Sequence, residues 1–216
     1  GRAVVCAQSR QNGIQTIESR LEDDPVPNAS TSSRWTGQRF TSNRQRIDEY
    51  EVQAARMRTT GSVDEVRTLV NMARHQGRRV GCVPTMGALH AGHNSLIRIA
   101  RDQCDQVIVT LFVNASQFND STDFQHYPRP LEDDLAICRE LGVDLVFQPE
   151  DDTMDLPASE TTVDVGRLGQ ILEGRHRPGH FRGVATVVVK LLNIVGPDVA
   201  FFGMKDYQQQ LVIRHL

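Results

Sequence analysis

A strand, a glycine-rich turn and a helix follow one another between residues 79 and 104, and this segment constrains the fold more than any other. The apolar run 79–83 predicts a short buried strand. Helical spacing then relates Leu96, Ile99, Ala100 and Cys104. The turn between the two elements, residues 86–93, carries two glycines and two histidines. Backbone N–H groups at a turn of this kind commonly bind an anion, most often a phosphate.

Two better-known phosphate loops are excluded by the residues of this turn. Gly87 and Gly92 have the separation of a Walker loop, but His93 and Asn94 occupy the positions that require Lys and Ser or Thr. The chain contains no G-x-G-x-x-G sequence, which excludes the dinucleotide fingerprint. The pattern that remains, His90-x-Gly92-His93, resembles the HIGH motif of nucleotidyltransferases, which bind ATP. A structural turn with two solvated histidines is the alternative.

The composition indicates a soluble globular protein without a strong electrostatic bias. Hydrophobic residues make up 39% of the chain, charged residues 24%, and the net charge is −3. No basic stripe accompanies this slightly acidic total, so we expect no nucleic-acid partner, and no apolar run is long enough to span a membrane. The four cysteines form no C-x-x-C pair, and three lie in apolar-periodic segments. Buried thiols of this kind predict a cytoplasmic location.

The composition also divides the chain in two. Residues 1–58 are rich in Ser, Thr, Asn, Gln and Arg, and we predict a polar, disordered extension because such a segment buries too little apolar surface to fold. In residues 59–216 strands alternate with helices, which predicts one α/β nucleotide-binding domain with a Rossmann-like parallel sheet. A capping box at Ser62 begins its first helix and Gly77 ends it.

The remaining elements are assigned from periodicity. The strands are predicted at 106–113, 144–147, 162–165 and 199–202, and the helices at 131–142, 168–173 and from Asp206 onwards. Residues 114–130 are predicted to be a loop. The segment 183–195 has strand propensity, yet its apolar residues follow a helical period over three turns, so we predict a buried helix.

Polar residues follow three of the predicted strands. They are the pairs His90 and His93, Asn114 and Gln117, and Lys205 and Asp206. Ligands of parallel α/β sheets bind at the carboxyl ends of the strands, so we expect these residues to form one site.

Five motifs occur in the order found in the pantothenate synthetase (pantoate–β-alanine ligase) family, which this chain resembles. They lie at 84–93, 112–118, 127–129, 173–184 and 202–209, and the resemblance covers about Thr59 to Leu216. It implies a homodimeric ligase of pantothenate and coenzyme A biosynthesis with the HIGH-type nucleotidyltransferase fold. ATP and pantoate would give pantoyl adenylate and pyrophosphate, and the amine of β-alanine would then displace AMP.

The resemblance also implies roles for individual residues. ATP would be bound by Met86, Gly87, Ala88, Leu89, His90, Ala91, Gly92, His93, Gly203, Met204, Lys205 and Asp206. The catalytic residues would be His90, His93 and Lys205, with His93 as the proton donor. Pantoate would be bound by Gln117 and Gln209, with Asn114 and Tyr127 shaping the pocket, since a neutral amide bonds both a hydroxyl and a carboxylate.

Other assignments are more open. Mg²⁺ would arrive with ATP and contact Asp133 or Asp134 through water, and a solvated helix face is the alternative for both acids. An N-cap role is the alternative for Asp206. The resemblance also places Arg177 and His180 near the site.

The chain departs from the family pattern in three ways. Ala115 stands where the family has proline, and Met204 replaces an acidic residue. The family continues beyond Leu216 with a further nucleotide-binding loop and a C-terminal lid domain, so we expect this chain alone to form pantothenate poorly. Two alternatives remain, a different HIGH-type nucleotidyltransferase, which should lack the paired glutamines, and a non-catalytic fragment that binds ATP or pantoate.

Overall fold

The structure, a computed structural model, describes residues 57–154 and 160–216 together with the backbone of two strands near the start of the chain. The strands are β1 (Ala3–Ser9), β2 (Gly13–Ser19), β3 (Arg58–Thr60), β4 (Val80–Thr85), β5 (Gln106–Leu111), β6 (Leu145–Phe147) and β7 (Val199–Gly203). The helices are α1 (Val63–His75), α2 (Ala91–Gln103), α3 (Ser121–His126), α4 (Leu131–Glu140), α5 (Asp151–Met154), α6 (Glu173–His176), α7 (His180–Val195) and α8 (Tyr207–Arg214). Short 3₁₀ helices span Ala115–Gln117 and Gly166–Gln170.

One sheet contains all the described strands, in the order β2-β1-β7-β4-β5-β6-β3. The five strands from β7 to β3 are parallel, and β1 and β2 extend the β7 edge in antiparallel pairing. The predicted Rossmann-like parallel sheet is therefore confirmed. The chain moves from β4 outward through β5 and β6 and then returns to β7 on the other side of β4. Ligands of such sheets bind where the strand order reverses, which here is between β4 and β7.

Helices cover both faces of the parallel strands. Side chains of α1 and α7 pack with Cys82, Ile108 and Phe202 on one face. Side chains of α2 and α4 pack with Val83, Val109 and Phe201 on the other. Successive residues of a strand point to opposite faces, so a strand buried on both sides must be apolar at every position. This requirement explains why the central strands read as continuous apolar runs.

Most predicted elements are confirmed. The Ser62 Oγ accepts a hydrogen bond from the Glu65 N–H at 3.3 Å and caps α1, and the ambiguous segment 183–195 lies within the helix α7. The cysteines Cys82, Cys104 and Cys138 are buried and free. Burial raises the pKa of the Cys82 thiol to about 12, which makes it unreactive.

Three local predictions are wrong. Residues 160–165 form no strand, because the Val163 N–H donates to the Thr186 hydroxyl of α7 and not to a neighbouring strand. The helix predicted at 168–173 is a 3₁₀ helix followed by the separate helix α6. The loop predicted at 114–130 contains a 3₁₀ helix and α3, whose N-cap Asp120 accepts from the Thr122 N–H at 2.7 Å.

The polar extension includes two strands that its composition does not predict. The β1–β2 hairpin pairs with β7 in the register Ala3 to Gly203, while residues 20–56 lie outside the described residues. The division of the chain at residue 58 stays a prediction. Among the described residues, no helix is both long and apolar enough to cross a membrane.

Candidate active site

A cavity of about 170 Å³ opens at the carboxyl ends of β4, β5 and β7. Its apolar lining includes Phe112, Val184, Val187, Val188, Leu191 and Phe202. The lining also contains Met86, His93, Gln117, Tyr127, Asp206 and Gln209. A cavity lined by apolar side chains and two amides suits a small ligand that combines methyl groups with hydroxyl or carboxylate oxygens.

A larger cavity of about 560 Å³ adjoins the first. The two cavities share Met86, Gln117, Tyr127, Asp206 and Gln209. The larger one adds the charged or titratable side chains of Glu173, Arg177, His180 and Lys205. At least one member of each predicted pair thus lines these adjoining cavities, namely His93, Gln117, Lys205 and Asp206, whereas His90 and Asn114 line neither.

The turn after β4 is held by a buried carboxylate. Asp134 of α4 is only 2% exposed, and its two oxygens accept from the N–H groups of Ala88 at 2.9 Å and Leu89 at 2.7 Å. The backbone needs this support at Ala88, whose positive φ of 50° costs free energy in a residue with a Cβ, whereas the preceding Gly87 adopts its φ of 82° freely. Two N–H groups of the predicted phosphate-binding turn are therefore occupied by a protein carboxylate.

Both histidines of the turn lie close together, and their rings are 4.2 Å apart. His90 is the N-cap of α2, where its Nδ1 accepts from the Gly92 N–H at 3.0 Å. His93 has a buried Nδ1 without a hydrogen-bond partner among the described residues. Burial and the neighbouring His90 lower the pKa of His93, which keeps its imidazole neutral at pH 7. A neutral imidazole can still donate a hydrogen bond to a phosphate oxygen.

The turn after β5 presents Gln117 through a network of amides, one imidazole and one guanidinium. The Gln117 side-chain Nε2 donates to the Met86 sulfur, and its Oε1 lies 3.4 Å from Asn114 Nδ2. The backbone carbonyl of Gln117 accepts from His180 Nδ1 at 2.7 Å and from Arg177 Nη2 at 3.3 Å. Burial lowers the pKa of His180, in keeping with a neutral ring that donates its Nδ1–H.

A glycine allows α7 to reach this turn. A Cβ placed on Gly183 would lie 2.4 Å from the Ser116 carbonyl oxygen, closer than any side chain tolerates. The Gly183 carbonyl accepts from Asn114 Nδ2 at 3.1 Å. Asn114 is buried, and its amide bonds within the turn and to α7. The hydrogen bonds of Asn114 therefore fix the turn that carries Gln117.

The sequence comparisons agree with this geometry. A family model described as Pantoate-beta-alanine ligase matches residues 58–216. The chain belongs to this family.

Two curated relatives in the pantoate–beta-alanine ligase family are the pantothenate synthetases of Aquifex aeolicus and Alcanivorax borkumensis. Each is 52% identical to this chain, over 154 and 161 residues respectively. The match covers 71% of this chain and 55% of the Aquifex protein, and 74% and 56% for the Alcanivorax protein. The chain thus spans about half the length of the curated relatives it matches.

Solved structures of the family have the same fold. The pantothenate synthetase of Thermus thermophilus is 46% identical, with a TM-score of 0.68 over 74% of this chain and 56% of that chain. The Francisella tularensis pantoate-beta-alanine ligase, complexed with beta-gamma ATP and beta-alanine, is 38% identical. Its TM-score is also 0.68, over 74% of this chain and 61% of that chain.

The two predicted metal-binding acids differ in their surroundings. Asp133 is exposed, whereas Asp134 is buried, so the alternative of a solvated helix face is wrong for Asp134. Within the described part of the chain, no group of three or more His, Cys, Asp or Glu side chains is placed to hold a metal ion. Asp206 occupies the N-cap position of α8 but makes no capping hydrogen bond with its side chain.

Two supporting residues were not predicted from the sequence. Asp134 lies three residues after Leu131 and four before Cys138, on the side of α4 that faces the core. An acid on a buried helix face needs hydrogen-bond partners, and this was the signal in the sequence that could have indicated a supporting role. Gln208 is 8% exposed and hydrogen-bonded through both side-chain atoms to residues 168–173. Neither the spacing of apolar residues in α8 nor the fact that residue 208 is a glutamine indicated this role.

Proposed function

We propose that this chain provides the pantoate- and ATP-binding domain of a pantoate–β-alanine ligase. One observation carries the proposal, namely that Gln117 and Gln209 line the same partly apolar cavity as His93. A nucleotidyltransferase for a phosphate ester would need cationic side chains there, because phosphates are bound by charge.

The smaller cavity has the chemistry that pantoate requires. Pantoate carries two methyl groups on one carbon, a carboxylate and two hydroxyls. We place the methyl groups against Val184, Val187 and Leu191, where their burial is favourable. The amides of Gln117 and Gln209 would bond the hydroxyls and one carboxylate oxygen. Neutral amides orient the carboxylate without an ion pair, and this leaves it nucleophilic.

The larger cavity would receive ATP. Lys205 is exposed at its rim, where a mobile ammonium can follow the phosphates as charge develops. His93 lines the smaller cavity, so it faces the place where the pantoate carboxylate would meet the α-phosphorus. We assign phosphate contacts to His90, His93 and Lys205, and nucleotide contacts along the rest of 86–93 and 203–206.

The reaction would proceed in two steps. A pantoate carboxylate oxygen attacks the α-phosphorus, the bond from that phosphorus to the β-bridging oxygen breaks, and pyrophosphate leaves. The neutral β-alanine amine then attacks the acyl carbon, AMP leaves with the acyl oxygen, and the proton lost by the amine passes to solvent. The residues contribute placement and electrostatic stabilisation to both steps. We propose that His93, as a neutral imidazole, donates its N–H as a hydrogen bond to a phosphate oxygen.

Mg²⁺ would have to come with the nucleotide. Such an ion keeps several waters and binds through substrate phosphates and one or two carboxylates. Asp134 already accepts two backbone hydrogen bonds and Asp133 is exposed. The described residues thus do not form a magnesium cage of their own, and no step above depends on one. A homodimer and a cytoplasmic location also belong to this proposal.

The decisive experiment supplies the purified chain with ATP, Mg²⁺ and pantoate, then adds β-alanine. Pyrophosphate, AMP and pantothenate are followed separately, together with calorimetric titration of each ligand. We expect binding of both ligands and release of pyrophosphate that depends on pantoate. His93→Ala and Lys205→Ala should weaken nucleotide binding or slow adenylation, by about 2.7–4 kcal/mol in the transition state for a directly stabilising contact, without unfolding the domain.

The controls separate the alternatives. Gln76→Ala changes an exposed glutamine at the end of α1, shortly before the amino end of β4 and away from the cavities. This variant should bind both ligands and release pyrophosphate as the wild-type chain does. Binding without pyrophosphate release would favour a non-catalytic binding fragment. Pyrophosphate release that depends on a phosphate ester and not on pantoate would favour a different nucleotidyltransferase. Binding of neither ligand would overturn the proposal.

A further inference from the structure

The segment from Gly166 to Glu173 forms part of the site although little of its own surface anchors it. It belongs to no strand. Of its three apolar residues, Leu168 packs against the core, whereas Ile171 and Leu172 are 40% and 69% exposed. Leu172 also has a positive φ of 48°. Burial therefore anchors the start of the segment but not its end at residues 171–173, which other contacts must fix.

Gln208 makes those contacts. Its side-chain Oε1 accepts from the Glu173 N–H at 2.9 Å. Its Nε2 donates to the carbonyls of Leu168 at 2.9 Å and Ile171 at 2.7 Å. One buried amide thus uses two N–H donors and an acceptor to hold three backbone groups spread over six residues of the segment. A buried amide bonded in this way is costly to replace, because the Glu173 N–H would lose its acceptor, although the Ile171 carbonyl would still accept from the Gly174 N–H at 2.9 Å.

The contacts continue from Glu173 to Gln117. The Glu173 carboxylate lies 3.9 Å from Arg177 Nη1, and Arg177 Nη2 donates to the Gln117 carbonyl. Gln208 itself lies in the first turn of α8, next to Gln209. The larger cavity is therefore enclosed by a chain of contacts that runs from α8 through Glu173 and Arg177 to the turn after β5.

We infer that Gln208 is a positioning residue that holds Arg177 against the Gln117 carbonyl by fixing the backbone of Glu173. Gln208 lines the larger cavity, but all three of its side-chain hydrogen bonds go to the backbone of this segment, whereas its neighbour Gln209 would contact pantoate directly. The inference rests on the proposed function only where ligand affinity is the readout.

The first test is amide hydrogen exchange followed by NMR on the whole chain. In Gln208→Leu, exchange at the Glu173 amide should accelerate about tenfold or more, since a buried hydrogen bond is lost. Gln170→Leu changes an exposed glutamine in the same segment and should leave that amide as it is in the wild type. Unchanged exchange at Glu173 in a folded Gln208→Leu chain would overturn the inference.

The second variant, Gln208→Glu, keeps the length of the side chain and adds a pH test. An ionised carboxylate can accept from the Glu173 N–H but repels the carbonyls of Leu168 and Ile171, whereas a protonated one restores a donor. We expect faster exchange than in the wild type at pH 8 and a return toward wild-type protection at pH 5.5. If the exchange rate of the Glu173 amide relative to the wild type is the same at pH 8 and pH 5.5, the proposed contacts are contradicted.

The third test distinguishes positioning from simple loss of stability. Pantoate affinity is measured for Gln208→Leu, Arg177→Met and the double variant. If Gln208 acts through Arg177, the first change weakens binding by about fivefold alone and by little in the Arg177→Met background. The same loss in both backgrounds would overturn the inference. If the wild-type chain binds no pantoate, the proposed function fails, and the exchange at Glu173 decides the inference by itself.

Discussion

The turns after β4 and β5 end at the same cavity, yet opposite chemistry holds them in place. The first has two consecutive residues with positive φ and is fastened by the ionisable carboxylate of Asp134. The second is fastened by amides, by an imidazole whose pKa is lowered by burial, by the Arg177 guanidinium and by the close approach of Gly183. A carboxylate supports the turn assigned to the phosphates, whereas neutral groups and one cationic side chain support the turn assigned to pantoate.

The difference follows from what each turn has to present. A polyanion is bound by positive charges and hydrogen-bond donors that are already in place, and the start of α2 sets the ring centroids of His90 and His93 4.2 Å apart. A nucleophilic carboxylate must instead be oriented without being neutralised. A network of amides does this because each group is already satisfied by its neighbours. The two turns can therefore be separated experimentally.

The largest effect is expected from Asp134→Ala. The N–H groups of Ala88 and Leu89 lose a charged acceptor, and two hydrogen bonds to a charged group are together worth about 3–6 kcal/mol. Urea unfolding should show this loss in the free energy of unfolding. Nucleotide affinity should fall more than pantoate affinity.

Asp134→Asn provides the matched control for that change. It keeps one acceptor oxygen and directs an NH₂ group at the other N–H, so its stability should lie between the wild type and Asp134→Ala. An Asp134→Ala protein with wild-type stability and nucleotide binding would show that the carboxylate does not hold the turn.

Gly183→Ala should act on the second turn. In most helices this change stabilises, because glycine loses more entropy on folding. Here the new methyl group would meet the Ser116 carbonyl, so we expect destabilisation by about 1–3 kcal/mol. Displacement of the adjacent Gln117 should weaken pantoate binding and leave nucleotide binding nearly intact. Asn193→Ala, an exposed change on α7, should be neutral, and a stabilised Gly183→Ala would contradict the contact.

The smallest effect concerns pH. Burial lowers the pKa of His93 and of His180 in the folded chain, so the unfolded chain takes up protons first as the pH falls below about 6.5. Stability is then fully present above that pH and is lost progressively below it. The urea midpoint should decrease between pH 7.5 and 5.5, above the range in which ordinary carboxylates titrate. His93→Gln and His180→Gln should each flatten this dependence, and a midpoint that is constant in the wild type would refute the assignment.

The central elements could be predicted because their causes are local. The apolar run before Pro84, the capping box at Ser62 and the period of α7 each act within a few residues. The convergence of Gln117 and His93 followed from the rule that parallel strands end at one edge. Segments whose structure depends on a distant partner could not be predicted. Residues 160–176 are held by Thr186 and Gln208, and no local pattern identifies such partners.

The supporting residues illustrate the same limit. The resemblance assigned Asp134 to a metal, and its sequence position could not show that two backbone N–H groups lie within reach. The strands β1 and β2 lie in a segment that is polar overall, and this average conceals the local apolar run at residues 3–7 with which β1 begins. Sequence thus located the residues that face the cavity more readily than those that hold them.

The bonds from Asp134 to Ala88 and Leu89 also bear on how quickly a ligand can be captured. Fixing the backbone of one residue costs about 1–2 kcal/mol of entropy, and here folding of the domain has already ordered the turn. An arriving nucleotide therefore does not have to organise it. Encounters with the site should then be productive more often, and the speed of association should be limited by diffusion and by the approach of the phosphates to Lys205 rather than by rearrangement of the loop.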